Sequence, residues 1–238
     1  MAVLKTMVCL ANSKKHGGTC FAGIELLGSR TGGWIRPISS RPGHEVNLVE
    51  QALSDGSQPC VLDVVTVGVL RPVPTGCQTE NWLLDPSYRW TREGSWSFSD
   101  LDGLVDTPPT LWSNESSSTV GIHDRVAEKH LDRHSRSIGL IRPETSQVVV
   151  ATNPWSRGLE VRLLFTYNAV EYELKITDQA YFAHYLACGA GHYPLSPGTL
   201  VTVSLAEPYT APQPGAEAYS YKVVAAIIEP EGSPGGAP

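Results

Sequence analysis

Short apolar stretches, separated by polar and glycine-rich breaks, run along almost the whole chain. Several of them alternate hydrophobic and polar residues or are rich in Val and Ile, which is typical of β-strands. The stretch 160–176 reads as a hairpin, because Asn168 tolerates the left-handed backbone of a tight turn. The predicted strands cover residues 3–10, 21–27, 34–39, 61–70, 139–143, 145–152, 160–176, 199–206 and 219–228.

Helical periodicity is rare in this sequence. The best predicted helix spans residues 177–189, because Thr177 or Asp178 can accept hydrogen bonds from its first turn. Residues 123–134 are predicted as a short exposed helix, and residues 11–19 as a polar loop. These few helical segments leave a chain that is mainly β.

The order of these elements predicts the fold class. Each half offers about five short strands, and the second half inserts one helix before its last strands, which fits a small Greek-key barrel of the oligonucleotide-binding (OB) type. We therefore expect an all-β protein with two tandem OB-like barrels joined by an irregular connector. The expected divisions are residues 1–110 for the first barrel with an extension, 111–136 for the connector, 137–230 for the second barrel and 231–238 for a disordered tail.

The pattern Gly-x-Ile-Arg-Pro occurs twice, at 33–37 and at 139–143. Its recurrence 106 residues apart fits a duplicated barrel. Trp34 in the first occurrence is replaced by Leu140 in the second, so the first is the better place for a base to stack.

Composition narrows the function classes. Hydrophobic residues make up 41% of the 238 residues and charged residues 18%, as in an ordinary globular protein. No apolar run has the roughly 20 residues that span a bilayer, and the basic residues near the N-terminus follow the apolar ones, so we expect a cytoplasmic protein without membrane contact. The five cysteines are widely spaced without a Cys-x-x-Cys pair, which favours free thiols over a metal knuckle or disulfides.

Charge is unevenly distributed along the chain. The net charge is −6, which argues against a protein that coats nucleic acid non-specifically. Residues 1–44 nevertheless carry six Lys and Arg against Glu25 alone, a net +5, and a second basic cluster lies within 125–142. An acidic body with two basic patches indicates a localised anionic ligand.

Three stretches of the sequence together resemble a known family. They are VCLANSKKHGGTCFAGIEL with GGWIRPIS, CQTENWLLDPSY, and SYKVVAAII. The chain resembles the bacterial dual OB-containing domain proteins over nearly its whole length except the tail. The resemblance implies two OB barrels in tandem and a nucleic-acid-binding role, with DNA as one ligand and bacterial antiviral defence as the setting. It implies no catalytic residues.

The first candidate binding residues lie near the N-terminus. Lys14, Lys15 and His16 sit in a small-residue loop that can cradle phosphate, although it lacks the Walker A pattern. Trp34 and Arg36 share one strand face, where an aromatic ring and a guanidinium can hold a base and a phosphate. The alternatives are a solvated turn, a packed Trp34 and an Arg36 paired with a carboxylate.

Further candidates lie in the middle of the chain. Gln78, Asn81 and Trp82 form a polar and aromatic group that can contact base edges, or merely satisfy a loop backbone. Arg142 keeps the arginine of the second Gly-x-Ile-Arg-Pro and is a candidate for backbone charge.

No catalytic pattern stands out, so we expect a non-enzymatic protein without a cofactor or metal. His130 and His134 have the spacing of helical metal ligands, but their neighbours are cationic. The predicted ligand is single-stranded nucleic acid or a nucleotide-like anion, bound through the first barrel and the connector. A small-molecule or modified-nucleotide sensor, a scaffold for a partner protein of a defence system, and a nuclease remain alternatives.

Overall fold

The computed structural model describes residues 2–15 and 17–230. The chain divides into two compact units, Met1–Leu104 and Val105–Pro238. The structure thus groups residues 105–136 with the second barrel, and the finer boundaries expected from the sequence stay a prediction. His16 and the tail at 231–238 lie outside the described residues.

The first unit consists of six strands and one short 3-10 helix among its described residues. They are β1 (Val3–Lys15), β2 (Gly18–Leu27), β3 (Arg30–Ile38), β4 (Asp63–Pro72), β5 (Asn81–Leu84), β6 (Thr91–Ser95) and the 3-10 helix Phe98–Leu104.

These strands close into a barrel. The sheet order is β1-β2-β3-β5-β4-β6, and an additional pairing of β1 with β4 completes the circuit β1-β2-β3-β5-β4-β1. All its pairs are antiparallel except β3 with β5. This is the strand order of an OB barrel.

Pro37 lies inside β3 without breaking it. The pairing of β3 with β2 ends at Ile35, opposite Gly23, so β3 continues past that point with β5 as its remaining neighbour. A proline has no N–H to donate to a neighbouring strand. A position with a strand on one side alone tolerates that loss.

The second unit has nine further strands and one α-helix among its described residues. They are β7 (Arg125–Ala127), the 3-10 helix Glu128–Arg133, β8 (Ile138–Ile141), β9 (Thr145–Thr152), β10 (Leu159–Tyr167), β11 (Val170–Ile176), α1 (Gln179–Cys188), β12 (Gly191–Pro194), β13 (Leu200–Leu205), β14 (Tyr209–Thr210) and β15 (Ala218–Ile228).

The second unit repeats the same circuit. Its order is β9-β10-β11-β15-β13-β8, with β11 and β15 parallel. Strands β8 and β9 follow each other in the chain and together take the place of the first barrel strand, since β8 pairs with β13 and β9 with β10. The predicted fold class, two tandem OB-like barrels in a mainly β chain, is therefore confirmed.

The two Gly-x-Ile-Arg-Pro segments do not occupy equivalent positions. Residues 33–37 lie in β3, the third strand of the first barrel, whereas 139–143 lie at the end of β8, in the first strand of the second barrel. The two barrels share the same strand order, but the repeated Gly-x-Ile-Arg-Pro pattern does not lie at matching places in them. The comparison of Trp34 with Leu140 as matched positions was wrong.

Local sequence explains the helix α1. Asp178 accepts hydrogen bonds from the backbone N–H groups of Ala180 and Tyr181, at 3.0 and 3.1 Å, and Gly189 follows the last turn with φ of 84°. These are the capping and stopping roles that the sequence predicted.

Two local predictions are corrected by the structure. The predicted loop 11–19 is mostly strand, because β1 and β2 stay paired as far as Lys15 and Gly18. The predicted helix 123–134 is instead the short strand β7 followed by a 3-10 helix, because Val126 and Ala127 are buried where β7 pairs with β15.

Candidate nucleic-acid interface

OB barrels contact oligonucleotides through the face of strands 2 and 3 and through the loops between strands 1 and 2 and between strands 4 and 5. In the first barrel these places are β2 with β3, the end of the β1–β2 hairpin, and the loop 73–80. The barrel topology therefore gives a frame in which each predicted residue can be placed.

Lys14 and Lys15 lie at the end of the β1–β2 hairpin, paired with Thr19 and Gly18. Lys14 is exposed and Lys15 is partly buried. Thr19 and Val46 exchange backbone hydrogen bonds of 2.8 and 3.0 Å, which tie the hairpin end to the loop after β3. The end of the hairpin thus carries two lysines on a backbone that these hydrogen bonds fix.

Trp34 lies on β3 opposite Ile24 of β2 and is partly buried. Lys15 lies opposite Gly18 of the same strand. Six residues separate Gly18 from Ile24, roughly 20 Å at about 3.3 Å per residue. Trp34 and Lys15 are therefore too far apart for one nucleotide and lie within the span of an OB site of about 4 or more nucleotides.

Arg36 does not face solvent. Its side chain is 4% exposed, and one guanidinium nitrogen lies 2.8 Å from a carboxylate oxygen of Glu80, which is equally buried. The side-chain amide of Asn81, which is 2% exposed, donates to Gln78 Oε1 at 3.2 Å. Arg36 of β3 and Asn81 of β5 also lie opposite each other in the sheet, and both are buried. For Arg36, the geometry favours the alternative in which the arginine is paired with a carboxylate.

Trp82 already has a cation against its ring. The Lys5 ammonium lies 4.2 Å from the ring centroid and 2.6 Å from a carboxylate oxygen of Glu25. This cation–π contact covers one face of a partly buried indole.

The corresponding loop of the second barrel carries residues that the sequence reasoning missed. Trp155 is 75% exposed, in the turn 153–158 between β9 and β10, and Arg157 is exposed beside it. The Asn153 side chain accepts from the N–H groups of Trp155 and Ser156, at 2.8 and 3.0 Å. A tryptophan in a short polar turn was the available signal.

The face of β10 and β11 in the second barrel is closed by the segment 116–124. Ile122 pairs with Glu173 of β11, and Arg162 of β10 donates to Asp124 at 3.1 Å. A side chain at Gly121 would collide with that Asp124–Arg162 ion pair. The face of this barrel that corresponds to β2 and β3 is therefore covered by the chain itself.

A buried lysine lies in the same barrel. Lys222 of β15 is 1% exposed, and its ammonium donates to Asn114 Oδ1 at 2.9 Å. Burial lowers the pKa of Lys222 to about 7, and the nearby carboxylate of Asp124 offsets only part of that effect. Asn114 also donates to the Tyr172 hydroxyl at 2.8 Å, which fastens residues 105–124, the lead-in segment, to the barrel.

The basic cluster at 125–142 largely makes contacts with other residues of the protein. The Lys129 ammonium lies 2.6 Å from Glu217, the Arg136 guanidinium lies 2.6 Å from Asp106, and the Arg125 guanidinium stacks on a tyrosine ring. Arg142 is exposed in the kink between β8 and β9.

Neither a metal group nor a membrane helix is found in the described part of the chain. Across residues 2–15 and 17–230, three or more His, Cys, Asp or Glu side chains never converge as metal ligands would. Within the same ranges, every helix is too short or too polar to cross a membrane.

The two closed circuits define a tandem OB-fold binding protein. The family model of the dual OB-containing domain matches residues 5–227, nearly the whole chain. The chain therefore belongs to the dual OB-containing domain family, and the resemblance seen in the sequence is confirmed. No curated protein matches the chain.

Proposed function

We propose that this protein binds single-stranded nucleic acid through the strand 1–2 loops of its two barrels. The observation that carries the proposal is the equivalence of these loops in the OB circuit. The hairpin end at this place in the first barrel bears Lys14 and Lys15, and the loop of the second barrel bears Trp155 and Arg157.

The two loops supply different chemistry. Ammonium groups neutralise phosphates, and an exposed indole offers a flat surface on which any base can stack. Trp34 on β3 adds an aromatic surface along the first barrel, and Gln78 in the 73–80 loop adds an amide. Arg36 and Asn81 have no part in the proposal, since both are buried.

The charge distribution supports a short site rather than a long channel. At the first barrel, Lys14 and Lys15 neutralise about two phosphates, which for a single strand gives a slope of log affinity against log salt of about −1.4. A protein that coats nucleic acid along its surface has a steeper slope.

The proposed setting follows from the family resemblance alone. We propose a cytoplasmic protein of bacterial defence, with a partner protein of that system as a further binder. DNA is proposed as the strand type, and RNA is the comparison that the binding assay includes.

The test is fluorescence anisotropy with labelled single-stranded DNA and RNA of mixed sequence at several salt concentrations. Trp155→Ala should weaken binding about 5- to 150-fold, the loss expected for one base stack, while Trp155→Phe retains most affinity. The double variant Lys14→Ala/Lys15→Ala should weaken binding and flatten the salt slope.

Lys129→Ala is the matched control, because it removes an exposed charge that is paired with Glu217. It should bind as the unchanged protein does. The proposal would be refuted if the protein did not bind at low salt. It would also be refuted if Trp155→Ala and the double lysine variant bound as tightly as the unchanged protein.

A further inference from the structure

A cleft of about 290 Å³ lies within the second unit, between the segments 108–112 and 133–136. Residues of β8 together with Val203 of β13 complete its lining. We call it the Trp112 cleft. Its volume lies just below the roughly 300 to 1,000 Å³ of small-molecule pockets, so it suits one small ligand or one terminal residue of a polymer.

The walls of the Trp112 cleft are fastened to each other. The Trp112 indole N–H donates to the backbone carbonyl of Arg136 at 2.9 Å, and the Arg136 guanidinium lies 2.6 Å from Asp106. The Tyr167 hydroxyl donates to the carbonyl of Pro108 at 2.7 Å. A ligand would therefore enter a preformed site and would lose little affinity to ordering the protein.

The lining combines apolar rings with positive charge. Trp112 and two prolines supply flat apolar surface, Arg133 and Arg136 supply cations, and no carboxylate lines the cleft. Asp106 offsets the charge of Arg136. The Arg133 side chain is exposed and forms no ion pair with another residue of the described ranges, so its guanidinium is open to an anion.

His134 adds a polar group to the lining. Its Nε2 is buried and has no hydrogen-bond partner among the described residues. Burial lowers the pKa of His134, and the positive charges of Lys222 and Arg133 lower it further, so the imidazole is neutral at pH 7. A neutral imidazole ring can lie against a base, as aromatic side chains do in nucleic-acid recognition.

We propose that the Trp112 cleft binds a nucleotide that carries one phosphate, with the base against Trp112 and His134 and the phosphate on Arg133. A guanidinium can hold a phosphate through two parallel hydrogen bonds, and an indole can stack on a base. This site is separate from the loops between barrel strands 1 and 2. It goes beyond the proposed binding of single-stranded nucleic acid. The nucleotide is either free or the phosphorylated end of a strand.

The test is isothermal titration calorimetry of the full chain with each of the four ribonucleoside 5′-monophosphates. At least one should bind saturably below 1 mM. Arg133→Gln should weaken that binding about ten-fold or more, and should leave the affinity for the matching unphosphorylated nucleoside unchanged. Lys129→Gln, which removes a charge from the same 3-10 helix, should stay within two-fold of the unchanged protein.

The source of the nucleotide is decided in a second experiment. In a Trp155→Ala background, a 5′-phosphorylated trinucleotide and its 5′-hydroxyl counterpart compete against the bound monophosphate. Displacement by the phosphorylated one alone identifies strand ends, and displacement by neither identifies a free nucleotide; both results support the site.

Failure here can be told apart from failure of the proposed strand binding. Arg133→Gln should leave Trp155-dependent strand binding intact. The cleft proposal is overturned if none of the four monophosphates binds at 1 mM, or if Arg133→Gln binds as well as the unchanged protein while its circular dichroism remains native.

Discussion

The buried Lys222 makes a quantitative prediction about stability and pH. An unfolded chain holds the proton of this lysine up to its ordinary pKa of 10.5, whereas the folded protein releases it at about 7. Between these values the unfolded state binds one more proton, so the free energy of unfolding rises with pH by about 1.4 kcal/mol per unit. The penalty is full below pH 7 and disappears as the pH approaches 10.5.

Lys222→Met keeps the length of the side chain and removes the titrating group. The penalty below pH 7 is about 5 kcal/mol, and leaving Asn114 Oδ1 without its donor costs about 1 to 3 kcal/mol. The variant should therefore be about 2 to 4 kcal/mol more stable than the unchanged protein at pH 6.5. Its advantage should shrink by about 1.4 kcal/mol for each unit between pH 7.5 and 9.5.

Urea unfolding followed by circular dichroism at pH 6.5, 7.5, 8.5 and 9.5 measures this difference. Lys222 belongs to the second unit, so any separate transition of the first unit should stay unchanged. Lys175→Met is the matched control, since Lys175 is an exposed lysine on β11. Carbon NMR of the lysine ε-methylene groups reports the pKa of Lys222 directly. Parallel pH curves for the two proteins, or an Nζ that titrates above pH 9.5, would refute the reasoning.

Three further predictions concern stability. Glu80→Leu should lower the free energy of unfolding by about 3 to 5 kcal/mol, because Arg36 then stays buried without its carboxylate partner. Adding Arg36→Met should recover most of that loss in urea unfolding. A double variant that is no more stable than Glu80→Leu would contradict this. Gly23→Ala should lower the melting temperature of the first barrel by several degrees, because the new Cβ would collide with the carbonyl of Val8; a thermal scan with an unchanged midpoint would argue against it. Asp178→Ala should cost about 2 kcal/mol, since it removes an acceptor that caps α1 and also receives the N–H of Ile227, and Asp178→Asn should restore part of it.

The site residues separate into those that local sequence could place and those it could not. Lys14 and Lys15 were predicted in a loop, and the structure puts them at the end of a paired hairpin in a place where OB barrels contact ligands. Arg36 and Trp34 are two residues apart on β3, and the partner of Arg36, Glu80, is 44 residues away in the chain. Nothing in the neighbourhood of Arg36 reveals that its guanidinium is buried.

Trp155 and Lys222 were missed for a related reason. A lone tryptophan in a turn and a lone lysine in a strand are ordinary in sequence, and their meaning depends on exposure. Trp155 projects from a turn that Asn153 holds, and Lys222 is covered because the lead-in segment brings Asn114 over the barrel. The Lys222 contact joins residues 108 positions apart, which no local pattern reveals.

The sequence by itself determined the longer strands, the helix α1 with its caps, the hairpin at Asn168 and the tandem OB class. These follow from backbone preferences and side-chain periodicity, which act over a few residues. The tertiary structure alone decided which strands close each barrel, and it showed that the two Gly-x-Ile-Arg-Pro segments lie in different barrel strands. It also decided which charges are buried, because pairing and burial depend on partners that only the folded chain brings together.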